Sequence, residues 1–453
     1  MSIRKTRSGY VCNACGARQP KWAGQCPDCG AWNSMVESAE IPRPAVRSGY
    51  AGATESARIE SLAEVSPEDR VRISSGIGEL DRVLGGGLVT GSVVLIGGDP
   101  GIGKSTLLLQ ASASLARSLP VLYVSGEESP QQIGLRAHRL GLAGEGIRLL
   151  AETHVEAILA AAAQERPRVM VVDSIQTLYT DTLQSAPGSV SQVRESAAQL
   201  VRFAKQQDTV VFLVGHVTKD GTLAGPRVLE HMVDTVLYFE GEAGGAFRLI
   251  RSIKNRFGAV HELGVFAMGD RGLREVKNPS AIFLSRHDEA VPGSIVMVTR
   301  EGTRPLLVEV QALVDESPLA NPRRVALGLD GNRLSMLLAV LHRHGGVAMF
   351  NQDVFVNVVG GVRITETAVD LPLVMAVLSS YRDRPLPLDL AVFGEIGLSG
   401  EVRPVPNGPD RLREAAKHGI RRAIVPLGNV PKEGVEGLEI TTVRTLGEAL
   451  DGV

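Results

Sequence analysis

The residues with the clearest chemical meaning lie between Gly98 and Thr106, in the order Gly-Asp-Pro-Gly-Ile-Gly-Lys-Ser-Thr. A glycine, four variable residues and then Gly-Lys-Ser form a phosphate-binding loop, in which successive backbone N–H groups surround a phosphate. Lys104 adds a positive charge, and the hydroxyl of Ser105 is placed to hold Mg²⁺. The sequence therefore predicts a nucleoside triphosphate site formed by Gly98, Asp99, Pro100, Gly101, Ile102, Gly103, Lys104, Ser105 and Thr106.

Three carboxylates follow apolar runs that are predicted to be buried strands. Glu127 and Glu128 come shortly after one run, and Asp173 comes directly after another. Because ligands bind at the carboxyl ends of the strands in an open parallel sheet, we expect these groups beside the phosphate loop. Asp173 would hold Mg²⁺ with Ser105, and Glu127 or Glu128 would polarise the attacking water. A surface turn without a catalytic role is the alternative for either glutamate.

A third predicted strand, at residues 210–214, leads to His216. This histidine is expected either to sense the γ-phosphate or simply to satisfy the end of the strand. A polar, glycine-rich segment begins at Lys219 and is followed by Arg227, and we interpret it as a mobile loop on the nucleotide face. The chain thus places a candidate sensor directly before a candidate moving segment.

The elements around these residues can also be predicted from their patterns. Residues 93–97 form an apolar strand before the loop, and a short helix is expected at 73–84, where it ends at three glycines. Residues 233–239 and 246–253 read as a hairpin, which leads into Lys254-Asn-Arg-Phe-Gly. Lys254 and Arg256 are two residues apart, so a strand would present both cations on one face.

Two Cys-x-x-Cys pairs, ten residues apart, contain every cysteine of the chain: Cys12, Cys15, Cys26 and Cys29. Four thiolates at such spacing can surround a tetrahedral ion and close its coordination sphere, which predicts structural rather than catalytic Zn²⁺. Two disulfides and a redox dithiol are the alternatives. A reducing compartment argues against the disulfides, and a dithiol needs only one pair.

The same N-terminal segment is basic and contains both tryptophans of the chain, Trp22 and Trp32. Its cations are Arg4, Lys5, Arg7, Arg18 and Lys21. This composition is compatible with contact to nucleic acid or to a protein partner, and also with charges that are merely solvated.

Length and composition set wider bounds. A chain of 453 residues with 44% hydrophobic residues exceeds one ordinary domain and can build several cores. The formal net charge of −2 is close to neutral and does not by itself indicate a nucleic-acid partner, so any such contact would come from local patches. Since no apolar run reaches the length of a membrane span and no signal-type core follows Met1, we expect a cytoplasmic protein without membrane contact.

Several of these motifs together carry a family resemblance. The cysteine pairs, the phosphate loop, the Ser-Gly-Glu-Glu-Ser turn at 125–129 and the Lys-Asn-Arg-Phe-Gly block at 254–258 resemble the RadA (Sms) family of bacterial DNA repair proteins. The resemblance extends over the whole chain, and its middle part is similar to the RecA-type ATPase core. It implies a DNA-dependent ATPase, a helicase-like motor that promotes branch migration in recombination, with ATP, Mg²⁺ and Zn²⁺ bound.

The resemblance also implies roles for single residues. Glu127 matches the catalytic glutamate, and His216 matches the residue that couples nucleotide to DNA. Lys254 and Arg256 match cations that reach the phosphates of a neighbouring subunit, which requires a homo-oligomer, expected to be a hexameric ring. The expected partners are single-stranded and branched DNA and a RecA-type recombinase, with Lys219 and Arg227 as candidate DNA contacts.

The C-terminal third resembles the proteolytic domain of Lon. Residues 292–298 and 305–312 read as paired strands, residues 333–344 and 367–381 as helices, and residues 394–405 as a hairpin. Lon uses a serine and a lysine, whose positions fall on Asp370 and Pro409. We therefore interpret this domain as a scaffold without peptidase activity, whose candidate DNA contacts are Arg304, Arg323, Arg324 and Arg333.

The predicted fold is α/β, with an N-terminal zinc ribbon, a RecA-type P-loop ATPase core and a C-terminal α+β Lon-protease-like domain. The predicted boundaries are a ribbon at 1–36, a linker at 37–66, the ATPase domain at 67–275 and the Lon-like domain at 276–453. Three other functions are alternatives to the DNA motor: a nucleotide-switched adaptor that loads a recombinase, an ATP-dependent protease, and a kinase of the clock-protein type. The ribbon and the C-terminal domain give the kinase no support.

Overall fold

A computed structural model describes most of the chain: residues 8–12, 18–19, 22–27, 29–39, 72–216, 228–241, 245–284, 289–318 and 321–451. For residues 8–12, 18–19 and 35–39 it describes the backbone alone. The chain divides into two compact units, Met1–Glu60 and Ser61–Val453. Among the helices of the described residues, none has both the length and the apolar character needed to cross a lipid bilayer.

The described part of the first unit is a small antiparallel sheet. Its strands, in spatial order, are β2 (Arg18–Gln19), β1 (Ser8–Cys12) and β3 (Met35–Ala39). The strand β3 continues past residue 36, where composition predicts the linker to begin, because residues 35–39 pair in register with residues 8–12. Regular pairing, rather than composition, thus determines where this strand ends.

The second unit begins with a short pair of strands around the first helix. β4 (Arg72–Ile73) pairs with β5 (Leu88–Val89), and α1 (Gly78–Val83) lies between them. The helix is shorter than predicted, because Ile73 belongs to a strand and the backbone N–H of Ser75 donates to Asp81. The three glycines at 85–87 have φ between +80° and +128°, a conformation that ends the helix before β5.

Within the described residues, the second unit is built on a nine-stranded sheet of order β14-β13-β12-β11-β6-β10-β9-β7-β8. Its strands are β6 (Val93–Gly97), β7 (Val121–Ser125), β8 (Ile147–Ala151), β9 (Val169–Asp173), β10 (Val210–Val214), β11 (Thr235–Glu240), β12 (Phe247–Asn255), β13 (Leu263–Gly269) and β14 (Gly272–Glu275). The strands from β11 to β8 run parallel, and β12 to β14 run antiparallel. The predicted hairpin of β11 and β12 is confirmed.

Helices cover both faces of this sheet. They are α2 (Lys104–Leu115), α3 (Pro130–Arg139), α4 (Val155–Glu165) and α5 (Val190–Gln207), with a 3₁₀ turn at Ile175–Thr177. Along β6, Val94 and Ile96 pack into the same core as α2, while Val93 and Leu95 pack into the core of α4 and α5. Alternate residues of an entirely apolar strand therefore bury on opposite faces, as expected for a parallel sheet.

The remainder of the second unit, which we call the C-terminal lobe (residues 294–451), contains a mixed seven-stranded sheet among its described residues. Its order is β17-β18-β16-β15-β19-β22-β23, and a separate two-stranded hairpin joins β20 to β21. The strands are β15 (Ser294–Glu301), β16 (Arg304–Glu316), β17 (Arg324–Leu327), β18 (Gln352–Val358), β19 (Leu390–Val392), β20 (Glu395–Ile396), β21 (Val402–Arg403), β22 (Arg422–Pro426) and β23 (Glu439–Val443). The helices are α6 (Gly331–Gly345), α7 (Asp370–Arg382), α8 (Gly408–Lys417) and α9 (Leu446–Asp451), with 3₁₀ turns at Val359–Gly361, Thr367–Val369 and Leu427–Asn429. A further 3₁₀ turn, Pro279–Ala281, precedes the lobe.

The nine-stranded sheet and the C-terminal lobe share buried contacts. Leu249, Leu263 and Val265, from β12 and β13, belong to the same apolar core as the side chains of α6 and α7. Both oxygens of the Glu79 carboxylate accept from Arg304 at 3.0 Å. The predicted boundary at residue 275 lies between the two sheets, but this shared core joins them into one compact unit.

Candidate nucleotide-binding and catalytic site

The predicted phosphate loop lies between the end of β6 and the start of α2. Gly98, Gly101 and Gly103 have φ of +150°, +75° and +118°, conformations that residues with a Cβ atom rarely adopt. A Cβ on Gly103 would also lie 2.9 Å from the side chain of Met268. The glycines are therefore required by the backbone path that directs N–H groups inward at the start of a helix, where a phosphate is favoured.

Lys104, the first residue of α2, folds back into the loop. Its amino group donates to the carbonyl oxygens of Gly98 at 2.8 Å and Asp99 at 2.9 Å. Burial lowers the pKa of Lys104 to about 8, because desolvation outweighs the attraction of the nearby carboxylates. This buried ammonium is held by weak neutral acceptors that the oxygens of a phosphate can replace.

The two glutamates that follow β7 have different surroundings. Glu127 accepts a hydrogen bond from the hydroxyl of Ser174 at 2.6 Å and lies 3.3 Å from Nε2 of His216. Hydrogen bonds from His216 and Ser174 lower the pKa of Glu127 to about 2 against the effect of burial. Glu128 instead forms an ion pair with Arg136 of α3. Of the two alternatives, the structure brings Glu127 to the phosphate loop.

His216 connects the loop lysine to this glutamate. Its Nδ1 lies 3.2 Å from Nζ of Lys104, and its Nε2 faces Glu127. Because an ammonium can only donate, Nδ1 acts as the acceptor, which leaves the Nε2–H to donate to the carboxylate. The imidazole is thus poised between two charged groups at the carboxyl end of β10.

Asp173 ends β9, next to β10 and β7 in the sheet. The buried hydroxyl of Tyr123 donates to Oδ2 of Asp173 at 2.7 Å. Both side chains lie on one face because Tyr123 pairs with Val171, two residues before the aspartate. The hydrogen bond orients the carboxylate through Oδ2, which suits a ligand of the Mg²⁺ that accompanies a nucleotide. Ser105, the second residue of α2, stays its predicted co-ligand.

Lys254 and Arg256 lie at the opposite edge of the sheet. The amino group of Lys254 donates to the carbonyl oxygens of Glu230 at 2.7 Å and Val233 at 2.9 Å, just before β11. Arg256 is 55% exposed and forms an ion pair with Asp234 at 3.3 Å. Asp234 also accepts from the backbone N–H of Val93, the first residue of β6, at 3.0 Å.

The distance between this edge and the phosphate loop follows from strand geometry. β6 runs from Val93 to Gly97 before the loop begins, and a strand rises about 3.3 Å per residue. The two cations are therefore separated from their own loop by the full length of β6, on the order of 15 Å. They do not join the constellation of Lys104, Glu127 and Asp173.

Several predicted site residues lie outside the described residues. Lys219 and Arg227 fall in the segment 217–227, and Cys15 falls in 13–17. Cys12 is described only through its backbone in β1. Of the second cysteine pair, Cys26 is buried and Cys29 is exposed, and the N–H of Gly30 donates to the carbonyl of Cys26 at 2.9 Å. This tight turn keeps both thiols in one short loop, which fits a structural Zn²⁺ ligand pair.

The two C-terminal positions that correspond to the peptidase dyad have contacts that serve the fold. Asp370 is fully buried, forms a two-pronged ion pair with Arg333, and accepts from the backbone N–H of Ile396 at 3.0 Å. Pro409 lies in the first turn of α8 and has no basic group to offer. The ion pair occupies both oxygens of Asp370, so this carboxylate is part of the fold.

Three of the arginines predicted to contact DNA have partners within the protein. Arg333 is engaged by Asp370, Arg304 by Glu79, and Arg324 donates to the carbonyl of Met349. These guanidinium groups hold the lobe together, and a phosphate would have to displace an existing partner. DNA contact by Arg304, Arg323, Arg324 and Arg333 stays a prediction, because an existing partner does not exclude a phosphate.

Sequence reasoning missed three side chains of the site. No sequence motif includes Tyr123 or Ser174, although their hydroxyls donate to Asp173 and Glu127. Gln176 donates to the carbonyl of His216 at 3.2 Å, and its own Oε1 is buried without a partner among the described residues. Only their positions could have pointed to these side chains. Tyr123 lies on the strand next to that of Asp173, and Ser174 and Gln176 follow Asp173 within three residues.

Three family models match separate parts of the chain. One described as "AAA domain" matches residues 60–222, one described as "Rubredoxin metal binding domain" matches residues 10–37, and one described as "Subunit ChlI of Mg-chelatase" matches residues 336–429. "DNA repair protein RadA" of Pseudomonas aeruginosa is 66% identical over 453 residues, 100% of each chain. This chain belongs to the RadA family. The RadA proteins of Escherichia coli and Bacillus subtilis are 59% and 49% identical and are covered over 98% and 99% of each chain.

These comparisons confirm the predicted family and the predicted α/β fold class. With the AAA match over the phosphate loop, RadA family membership makes the chain an ATPase that uses ATP and Mg²⁺. The match over the cysteine pairs identifies the N-terminal part as a zinc ribbon that binds Zn²⁺. Likeness of the C-terminal lobe to Lon stays a prediction, since the model that matches there is that of the ChlI subunit.

Proposed function

We propose that this member of the RadA family is a DNA-dependent, helicase-type ATPase that promotes branch migration of recombination intermediates. The observation that carries the proposal is the position of His216, which bridges Lys104 at 3.2 Å and Glu127 at 3.3 Å. The same histidine directly precedes the segment that contains Lys219 and Arg227, the proposed DNA contacts. One side chain thus links the phosphate loop, the catalytic carboxylate and the segment expected to bind DNA.

The proposed cycle begins when ATP phosphates replace the carbonyl oxygens around Lys104. The lysine then turns from His216 to the stronger anionic acceptor, and the imidazole loses one of its two partners. Glu127, which is ionised because its pKa is about 2, orients the attacking water. Asp173 and Ser105 would hold Mg²⁺, which would supply charge neutralisation at the phosphates. Movement of His216 is passed to the adjoining segment and so to DNA.

The opposite position of Lys254 and Arg256 supports a site completed by a neighbouring subunit. Both cations lie about the length of β6 from their own phosphate loop, so they cannot contact the phosphates bound there. In a head-to-tail ring, this edge of one subunit faces the loop edge of the next. We therefore assign Lys254 and Arg256 to the adjacent subunit's nucleotide, in a homo-oligomer that the family resemblance makes hexameric.

The main alternative is an adaptor that changes shape with nucleotide and loads a RecA-type recombinase without moving along DNA. A forked DNA substrate with one labelled strand separates the two. A motor displaces the strand with ATP, and the Lys104→Ala variant does not. Equal strand displacement by wild type and Lys104→Ala would contradict the motor. A protein that displaces no strand by itself but stimulates strand exchange by a recombinase would favour the adaptor.

An ATP-dependent peptidase is disfavoured by the residues at the two dyad positions. Asp370 is buried in an ion pair, and Pro409 has no proton-accepting group. Incubation with casein and ATP is expected to give no cleavage. Release of peptides above the background of a Lys104→Ala control would overturn the scaffold interpretation.

A further inference from the structure

The zinc ribbon exposes two indole rings beside a single glycine. Trp22 is 57% exposed and Trp32 is 72% exposed. The position that a Cβ of Gly24 would occupy is 3.8 Å from the Trp22 ring and 4.0 Å from the Trp32 ring. The two rings therefore lie close together on one small surface, which we call the tryptophan pair.

The backbone under this pair is held by short hydrogen bonds. The N–H of Asn33 donates to the carbonyl of Gly24 at 2.7 Å, and the N–H of Cys26 donates to the carbonyl of Ala31 at 2.9 Å. Gln25 and Trp32 also form a β-bridge. Because Cys26 is a proposed zinc ligand, bound Zn²⁺ would anchor the loop that presents the rings.

A ring pair of this size is unusual on a surface, since tryptophan is largely buried in most proteins. The ribbon leaves its two largest side chains open to solvent. Among the described residues, no hydrogen-bond partner accounts for the orientation of either ring. An exposed aromatic surface of this kind indicates a binding partner.

The charge of the segment indicates which partner. Residues 1–36 contain five cations and one carboxylate, Asp28, although the whole chain has a formal net charge of −2. A zinc ion with four thiolates contributes about −2, so the ribbon stays positive when this metal charge is included. Positive charge in the same short segment as exposed aromatic rings is a composition typical of single-stranded nucleic-acid binding, in which bases stack on the rings and phosphates meet cations.

We propose that Trp22 and Trp32 form a stacking platform for unpaired bases of single-stranded DNA. This proposal rests on the proposed DNA motor and adds a second DNA contact outside the ATPase core. Duplex DNA keeps its bases stacked inside the helix, so the platform selects single strands, as a protein acting at branch points requires. Stacking tolerates any base, so little sequence preference is expected.

The chain offers an unusually direct test, because Trp22 and Trp32 are its only tryptophans. Intrinsic tryptophan emission of the full-length, zinc-loaded protein therefore reports on this surface alone. Titration with oligo(dT) is expected to quench the emission, and a duplex of equal length is expected to leave it nearly unchanged. Trp22→Phe and Trp32→Phe each retain one indole, and each is expected to show quenching, which would place both rings at the DNA.

Alanine variants measure the contribution of each ring. Trp22→Ala or Trp32→Ala is expected to weaken binding of labelled oligo(dT) roughly five- to a hundredfold, and the phenylalanine variants much less. Zinc content, measured for every variant, shows that the ribbon is intact. The proposal is overturned if fluorescence anisotropy shows bound oligo(dT) while the tryptophan emission is unchanged. It is equally overturned if zinc-replete alanine variants bind oligo(dT) as tightly as wild type does. That result would indicate that the surface binds a protein partner instead.

The experiment distinguishes failure of the stacking proposal from failure of the motor proposal. The Lys104→Ala variant is expected to show the same quenching, since stacking needs no ATP hydrolysis. Quenching without ATP-driven strand displacement would support the stacking platform and contradict the motor. Strand displacement without quenching would support the motor and contradict the platform.

Discussion

The phenolic oxygen of Tyr123 lies 2.7 Å from Oδ2 of Asp173, and both side chains are buried. Burial and the neighbouring carboxylate raise the pKa of Tyr123, so the phenol stays protonated and donates. A carboxylate that is held in this way presents its second oxygen in a fixed direction. Partners of this kind orient a metal ligand without touching the metal.

Tyr123→Phe is expected to raise the Mg²⁺ concentration for half-maximal ATPase activity by about tenfold, because the Asp173 carboxylate loses its orienting donor. ATPase rates over a Mg²⁺ series measure this shift. Tyr238→Phe is the matched control, since its hydroxyl lies 3.2 Å from Glu230, away from the proposed metal ligands. An unchanged Mg²⁺ dependence in Tyr123→Phe would show that the hydrogen bond serves stability alone.

The two neighbouring glutamates give a second prediction. Glu127→Gln is expected to lower the ATPase rate by at least about a hundredfold, since an amide cannot orient water as an anion does. Glu128→Gln breaks the pair with Arg136 and is expected to change the rate less than about fivefold. Nucleotide binding should persist in both variants. Comparable losses in the two variants would refute the assignment of Glu127.

The lowered pKa of Lys104 gives a prediction about pH. Only the protonated amine attracts phosphate, and its pKa is about 8 before binding, so affinity for ATP is full below pH 8 and falls as pH rises through 8. Binding at pH 9 should therefore take up about one proton per nucleotide, and binding at pH 7 only about a tenth of one. Calorimetry in two buffers of different ionisation enthalpy measures this uptake. Equal heats in both buffers at pH 9 would contradict it.

The position of Arg256, at the end of the sheet opposite the phosphate loop, gives a prediction about mixtures of two variants. Arg256→Ala retains an intact phosphate loop, and Lys104→Ala retains an intact Arg256, so each variant alone should be nearly inactive. In an equimolar mixed ring, about a quarter of the boundaries would combine both intact parts and recover activity. Arg148→Ala, a similarly exposed arginine paired with Glu165, is the control and should stay active. A mixture no faster than its separate components would argue against a shared site.

The buried pair of the C-terminal lobe gives a prediction about stability. Arg333→Met leaves the fully buried Asp370 carboxylate without its cation, which is expected to cost about 3–5 kcal/mol of unfolding free energy. Arg343→Met, on the exposed part of the same helix, should cost less than about 1 kcal/mol. Urea denaturation compares them. The double variant Arg333→Met, Asp370→Leu should regain much of the lost unfolding free energy. No regain would mean that breaking this ion pair does not cause the loss.

Part of the site could be predicted because its chemistry is local in sequence. The phosphate loop needs glycines, a lysine and a serine at fixed spacing, and the backbone of Gly98–Ser105 shows why: three glycines adopt positive φ and Lys104 begins the helix. Asp173 follows an apolar strand for a similar local reason. The hairpin before Lys254 was predictable because alternation and strand length are short-range signals.

Other features could not be predicted, because they depend on strand register and on partners far apart in the chain. The choice between Glu127 and Glu128 rests on His216 and Arg136, which no spacing rule connects to either. The arginines of the C-terminal lobe looked available in sequence, but a buried carboxylate some 37 residues away engages Arg333.

The sequence by itself determined the nucleotide site, the cysteine pairs and the family, because each consists of residue types whose backbone and ligand requirements fit within a few positions. The tertiary structure decided which carboxylate meets the phosphate loop and that Tyr123 holds Asp173. It also decided that Lys254 and Arg256 lie at the far edge of the sheet. These outcomes follow from the strand order β11-β6-β10-β9-β7, which brings together residues more than a hundred positions apart. The order is fixed only when both faces of the sheet are buried.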